Sequence, residues 1–298
     1  MLELDGLTRR FGDVVALDDL SFTVEPGRTL GFVGPNGAGK TTAMRIVLGV
    51  LEPDAGSVRW RGRPVTTATR ARFGYMPEER GLYPKMRVRE QLVYFARLHG
   101  MAPREAGTAA DRWIERLGLG ERAADKVETL SLGNQQRVQL GVALVHDPDV
   151  LVLDEPFSGL DPTGVDVMSG VLGERAAAGV PVVFSSHQLE LVERLCEDVA
   201  IVNGGRLVAS GSVEELRERG RSDVESVRVV VEGDGDGRWL VGVPGAEVAE
   251  VGARGVLVRL EGGDPGTVLD AARSAGTVTH FSVERPTLAD LFRRVVAA

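Results

Sequence analysis

The chain has 298 residues, 43% hydrophobic and 26% charged, which is enough apolar material for a core and more length than one average domain uses. Lysine and arginine number 35 against 43 acidic residues, and the formal net charge of −8 argues against a surface built to neutralise nucleic-acid phosphates. Cys196 is the only cysteine, so an intramolecular disulfide is impossible; no apolar run approaches the roughly 20 residues that cross a bilayer, and Met1-Leu2-Glu3-Leu4-Asp5 lacks the charge and apolar stretch of a signal peptide.

Short alternating spans such as Leu2-Glu3-Leu4 and Leu20 to Val24, with Pro26-Gly27 as a turn, predict a small β layer over residues 1 to 30. A strand at Thr29 to Val33 then runs through a glycine-rich turn into a helix from about Lys40 to Leu48. Residues 88 to 145 read as helices at Val88 to Leu98, Ala110 to Leu117 and Gln135 to Val145, a helical insert of about 85 to 145. Two apolar β-branched runs follow, Val150 to Leu153 and Val180 to Ser185, the pattern of parallel strands buried in an α/β sheet. Cys196 shares an apolar helical face with Val192 and Leu195 and reads as core. Asn203-Gly204 predicts a tight hairpin, and Ser212-x-x-Glu215 a capping box for a short helix ending at Gly220-Arg221-Ser222-Asp223. Beyond it the pattern changes to valine-rich strands at Val227 to Val231, Val256 to Leu260 and Val278 to Val283. Helices are expected at Thr267 to Ala275 and Leu288 to Val296, and Glu232 to Gly237 reads as a loop. We therefore expect domains at 1–220 and 221–298.

Gly34-Pro35-Asn36-Gly37-Ala38-Gly39-Lys40-Thr41, followed by Thr42, matches the phosphate-cradling loop G-x-x-x-x-G-K-[ST] between a strand and a helix. Its glycines let backbone N–H groups face phosphates at a helix N-terminus. Lys40, one of three lysines in an arginine-rich chain, supplies a compact point charge for the β and γ phosphates. Val150 to Leu153 ends in Asp154-Glu155, and carboxylates at a buried strand tip are costly unless they hold a metal or a proton. Asp154 and Thr41 are candidate Mg²⁺ ligands, and Glu155 a candidate base for the attacking water. A lone strand-Asp-Glu would more often cap the next helix; the upstream loop gives it weight.

Leu130-Ser131-Leu132-Gly133-Asn134-Gln135-Gln136-Arg137 resembles the signature of the ABC (ATP-binding cassette) family, L-S-G-G-Q followed by Q-x-R, although Leu132 replaces the first glycine and Asn134 the glutamine. Taken alone, Ser131 would read equally well as the N-cap of the helix at Gln135. Other motifs follow in the family's order. Phe11 looks like the aromatic that stacks on adenine, Ser158-Gly159-Leu160-Asp161 like the loop that crosses the dimer interface, and His187 like the histidine that contacts the γ-phosphate. Glu78, in Gly74-Tyr75-Met76-Pro77-Glu78, stands where the family usually has a glutamine near Mg²⁺ and water. His99, His146 and His280 read as structural or solvated.

The resemblance covers residues 1 to about 220. It implies an α/β P-loop NTPase with a RecA-like parallel sheet, an antiparallel β subdomain and a helical insert, followed by a small C-terminal α+β domain. ATP and Mg²⁺ are the implied cofactors. Ser131, Gly133 and Asn134 would face the ATP of a second cassette, from a homodimer or a related chain, and separate transmembrane permease subunits would hold the protein at the inner face of the cell membrane. Residues 283 to 292, Val-Glu-Arg-Pro-Thr-Leu-Ala-Asp-Leu-Phe, look like the accessory domain of ABC-2-type exporter ATPases, and with 8 Arg, no Lys and 12 acids in residues 222 to 298 no nucleic-acid partner is expected. Two rival readings are a soluble ABC ATPase acting on ribosomes or DNA, which one cassette and one cysteine disfavour, and a non-hydrolysing nucleotide switch, motivated by Glu78 and the altered signature.

Overall fold

A computed structural model of the chain describes residues 1–79, 81–219, 224–233, 236–252, 255–284 and 287–297. It divides into two compact units, Met1–Val213 and Glu214–Ala298.

In the first unit β1 (Leu2–Phe11) and β2 (Val14–Val24) pair antiparallel, with Phe11 opposite Val14 across a turn at Gly12. Leu2, Leu4 and Leu7 of β1 and Leu20, Phe22 and Val24 of β2 are buried while their polar neighbours point out, the period-two signature of a half-buried sheet. β3 (Thr29–Val33) is buried at every position and leads into α1 (Lys40–Val47). β4 (Ala55–Trp60) pairs back with β1, and β5 (Arg63–Pro64), α2 (Thr67–Arg70) and β6 (Phe73–Met76) follow. The insert holds α3 (Val88–Leu98), α4 (Pro103–Arg116) and α5 (Leu132–Leu144). The chain then runs β7 (Val150–Leu153), α6 (Pro162–Ala177), β8 (Val182–Ser186), α7 (Leu189–Leu195), β9 (Asp198–Asn203) and β10 (Arg206–Ser212); α8 (Val213–Arg219) follows, and past Val213 it belongs to the second unit.

Among the described residues these strands form a four-stranded antiparallel sheet, β2-β1-β4-β5, and a six-stranded sheet, β10-β9-β3-β8-β7-β6. In the larger sheet β9, β3, β8, β7 and β6 are parallel and β10 closes one edge antiparallel. One apolar cluster joins both sheets to α1 through Leu2, Phe22, Phe32, Met44 and Val152. Cys196, expected as core, is buried, its sulfur 3.0 Å from where a Cβ on Gly31 would stand. Parallel strands end on the same side, so β3, β8, β7 and β6 deliver their C-terminal residues to one edge, the place where open α/β sheets bind ligands.

Several boundaries differ from expectation, β11 starting at Val224 instead of Val227 among them, and three have a clear local cause or consequence. Helix α4 starts at Pro103 instead of Ala110, since proline is preorganised for a first helical turn. Helix α5 starts at Leu132 instead of Gln135, which places Gly133 and Asn134 inside its first turn. The hairpin between β9 and β10 turns on Gly204 and Gly205, φ +54° and +80°, with Asn203 and Arg206 as its last pair. A type I′ hairpin turn needs positive φ at both central residues, and glycine supplies it at no steric cost.

The second unit has β11 (Val224–Val231), β12 (Ala246–Gly252), β13 (Gly255–Glu261), α9 (Pro265–Ala275), β14 (Val278–Glu284) and α10 (Leu288–Ala297). Its sheet order is β12-β13-β11-β14, and Val227, Val229, Val256, Val258 and Val268 form its core. The expected helix end at Gly220 to Asp223 lies outside the described residues, as do Asp234 and Gly235 of the expected loop and Arg285 and Pro286 of the terminal motif.

Candidate functional site

The loop between β3 and α1 is shaped by backbone constraints. A Cβ on Gly34 would lie 2.3 Å from the Val202 carbonyl oxygen, and one on Gly39, at φ +103°, 2.4 Å from the Ala16 carbonyl oxygen; neither position admits another residue. Lys40 is buried, and its Nζ donates to the Gly34 and Pro35 carbonyls at 2.7 and 3.1 Å. Burial pulls its pKa down, while the negative charges of Glu155, Asp154 and Glu78 push it back up. All three acids therefore act on this one ammonium. Thr41 and Thr42 are half-buried at the start of α1, and Asn36 and Gly37 lie exposed at the loop's crest beside half-buried Pro35 and buried Ala38.

β7 delivers Asp154 and Glu155. Asp154 is 1% exposed. Its Oδ1 accepts from Ser185 Oγ on β8 at 2.5 Å, whereas its Oδ2 has no protein partner. A buried carboxylate oxygen without a donor is costly unless a cation or solvent completes it, so the donor set fits a hard divalent cation. Among the described residues no group of three or more His, Cys, Asp or Glu could hold a metal by itself, so phosphate oxygens would have to supply further ligands. Glu155 sits at φ +49°, a conformation that costs a non-glycine residue about 1 kcal/mol or more. Its N–H donates to Ser185 Oγ at 2.9 Å, and its Oε1 lies 3.0 Å from His187 Nδ1. The Glu155 side chain is nearly buried and the His187 ring is 59% exposed.

β6 ends beside β7, with Met76 paired to Leu153 and the Asp154 N–H donating to the Met76 carbonyl at 2.7 Å, which brings Glu78, exposed, to the same edge. Phe11 is 48% exposed, so it is no core residue, and the Arg9 guanidinium lies 5.0 Å from its ring centroid.

The signature segment has both properties weighed from its sequence. Ser131 is the N-cap of α5, its Oγ 3.4 Å from the Asn134 N–H, and it is exposed together with Leu132. Gly133 faces Leu160 of the next loop, where a Cβ would meet Leu160 Cδ2 at 3.4 Å. Asp161 caps α6, its Oδ1 accepting from the Gly164 N–H at 2.8 Å, a structural duty that the sequence reading did not assign to it.

The edge thus gathers Gly34 to Thr42, Asp154, Glu155, His187 and Glu78. Sequence reasoning missed Ser185, which holds both acids, and Gln136 and Gln139, whose amides reach the Glu155, Pro156 and Pro77 carbonyls. Ser185 had no signal beyond its place in a buried strand.

A parallel sheet whose glycine-rich loop meets a helix N-terminus beside a buried Asp-Glu tip defines the class of P-loop nucleotide-binding domains. Residues 17–158 match the family model described as ABC transporter, and residues 211–296 match that of the ATP-binding protein DrrA1-3-like C-terminal domain. The chain is 41% identical over 300 residues to the uncharacterized ABC transporter ATP-binding protein YhaQ of Bacillus subtilis strain 168, covering 100% of this chain and 99% of that one. It is 40% identical over 220 residues to the Nod factor export ATP-binding protein I of Burkholderia thailandensis, covering 73% and 72%. A solved structure of the ATP-binding subunit of an ABC transporter superposes with TM-score 0.68 at 28% identity, over 74% of this chain and 95% of that one. The chain belongs to the ABC transporter ATP-binding proteins, in the branch that carries a DrrA-like C-terminal domain.

Proposed function

We propose that this ATP-binding protein hydrolyses ATP and that ATP-driven pairing of two cassettes, followed by hydrolysis, drives transport by separate transmembrane subunits, in the direction of export. The single observation that carries hydrolysis is Glu155. Its carboxylate is held against His187 at the tip of β7, one residue from the unpartnered oxygen of Asp154 and within the field of Lys40.

Gly34, Pro35, Asn36, Gly37, Ala38, Gly39, Lys40, Thr41 and Thr42 hold the phosphates, and Phe11 stacks on the base. Mg²⁺ would be held by Thr41 and Asp154, with Glu78 nearby, and would neutralise charge on the β and γ phosphates. Glu155 orients the attacking water and takes its proton, and the hydrogen bond to His187 fixes the direction of its carboxylate. Exposed Ser131 and half-buried Gly133 and Asn134, at the N-terminus of α5, serve the ATP of the opposing cassette, and Asp161 lies at the same interface. Because phosphoryl transfer depends mainly on positioning and charge, a site divided between two chains turns over only when they meet.

No helix among the described residues is long and apolar enough to cross a membrane, which suits attachment to the inner face of the membrane through permease subunits. The opposing cassette is a second copy or a related chain. The cassette comprises 1–220 and the accessory domain 221–298; the two compact units support two domains, although they meet seven residues earlier, between Val213 and Glu214.

Glu155→Gln tests this reading. Nucleotide affinity should hold in a titration, while hydrolysis falls by about 10² to 10⁴, the usual worth of a general base. Near-normal turnover would remove Glu155 from the role.

A further inference from the structure

The signature helix α5 carries glutamines that donate to backbone carbonyls outside the helix. Gln135 Nε2 donates to Val127 and Leu130 at 3.2 and 3.1 Å, and so fixes the loop entering the helix. Gln136 Nε2 donates to Glu155 and Pro156 at 3.1 and 3.0 Å, and Gln139 Nε2 donates to Pro77. Gln136 and Gln139 are 4% and 2% exposed. Packing alone does not explain them, since leucine or methionine would fill such volume without burying an amide that needs partners.

Their targets matter more than their number. Gln136 holds the two peptides that immediately follow the strained Glu155, 155–156 and 156–157, and Gln139 holds the carbonyl one residue before Glu78. The helix cannot slide freely past these strands, because α5 presses on β6: a Cβ on Gly74 would lie 2.3 Å from the Ala143 carbonyl oxygen. A displacement of the Ser131–Asn134 end is therefore carried by one rigid helix to the backbone of both acids.

We propose that Gln136 and Gln139 are positioning residues that couple the signature end of α5 to Glu155 and Glu78 of the same chain. The inference rests on the function proposed above. There the signature meets the opposing cassette's triphosphate while Glu155 serves its own, so the two amides link one composite site to the other.

The test uses the full chain with Gln136→Met and Gln139→Met, which keep volume and remove the donor. Turnover should fall about tenfold, the effect of about one hydrogen bond's free energy on the placement of Glu155, while the affinity for ATP stays within about twofold. In a Glu155→Gln background Gln136→Met should change residual turnover by less than about twofold, because it acts through Glu155. Without nucleotide, amide exchange of the 154–158 segment should speed up about tenfold in Gln136→Met. Unchanged turnover and exchange, or an equal fall in the Glu155→Gln background, overturns the coupling and leaves the hydrolytic reading intact. If the unaltered protein binds ATP but never hydrolyses it, the hydrolytic reading fails, and the exchange measurement still decides whether the amides hold Glu155. Should the methionine variants not fold, Gln136→Leu and Gln139→Leu also remove the donor at similar volume and are expected to give the same results.

Discussion

Ser185 Oγ donates to Asp154 and accepts from the Glu155 N–H, so one hydroxyl holds the metal-binding candidate and the base candidate together. Ser185→Ala would leave a second Asp154 oxygen and the Glu155 N–H unpaired in a buried setting. Stability should drop by about 1 to 3 kcal/mol in urea titrations, and affinity for Mg-ATP should drop with it. Lys40→Ala removes the charge that the loop is built around, so ATP affinity should weaken about 10- to 100-fold by calorimetry. Unchanged affinity would count against the phosphate cradle. The two residues also differ in legibility. Lys40 was named by its motif, because the chemistry of the loop demands that residue at that spacing. Ser185 lay in an apolar run, and only the pairing of β7 with β8 shows that its hydroxyl reaches both acids.

Helices α3 and α5 meet the sheet where His99, at the end of α3, stacks on His146, just past α5, with ring centroids 3.6 Å apart. Burial, and then the charge of His99, pull the His146 pKa down to about 4, against the opposing charge of Asp147. A folded-state value below the unfolded one means that the unfolded chain binds the extra proton first. This contribution is complete above pH 6.5 and is lost as pH falls toward 4, amounting to about 2 to 4 kcal/mol. Urea midpoints measured across that window should fall for the native chain and fall less for His146→Gln; equal slopes would discard the assignment. Elements with strong local signals, such as α3 and β7, matched their expected bounds. The edge strand β12 was missed because its residues, apart from half-buried Ala246, are exposed, so no alternation marks it.

The molecule as proposed is half of a machine, since its signature end and its own phosphate loop serve different nucleotides. Glu155→Gln, which keeps ATP intact, should therefore associate into a dimer on addition of Mg-ATP in sedimentation experiments. Addition of Ser131→Arg, which crowds the exposed signature end, should abolish that association without lowering ATP affinity more than about threefold. If both proteins sediment alike with nucleotide, the divided-site arrangement is wrong.

The chain's own order of residues determined the class: a glycine loop flanked by a strand and a helix, a buried strand tipped with two acids, a signature before it and a valine-rich second unit behind it. These are local patterns, and local patterns survive in one dimension because turn sterics, phosphate geometry and strand burial act over a few neighbouring positions. The tertiary structure alone decided which groups support them. Ser185, Gln136 and Gln139 lie 31, 19 and 62 residues along the chain from the partners they hold, and hydrogen bonds across such separations exist only once parallel strands and the signature helix have docked.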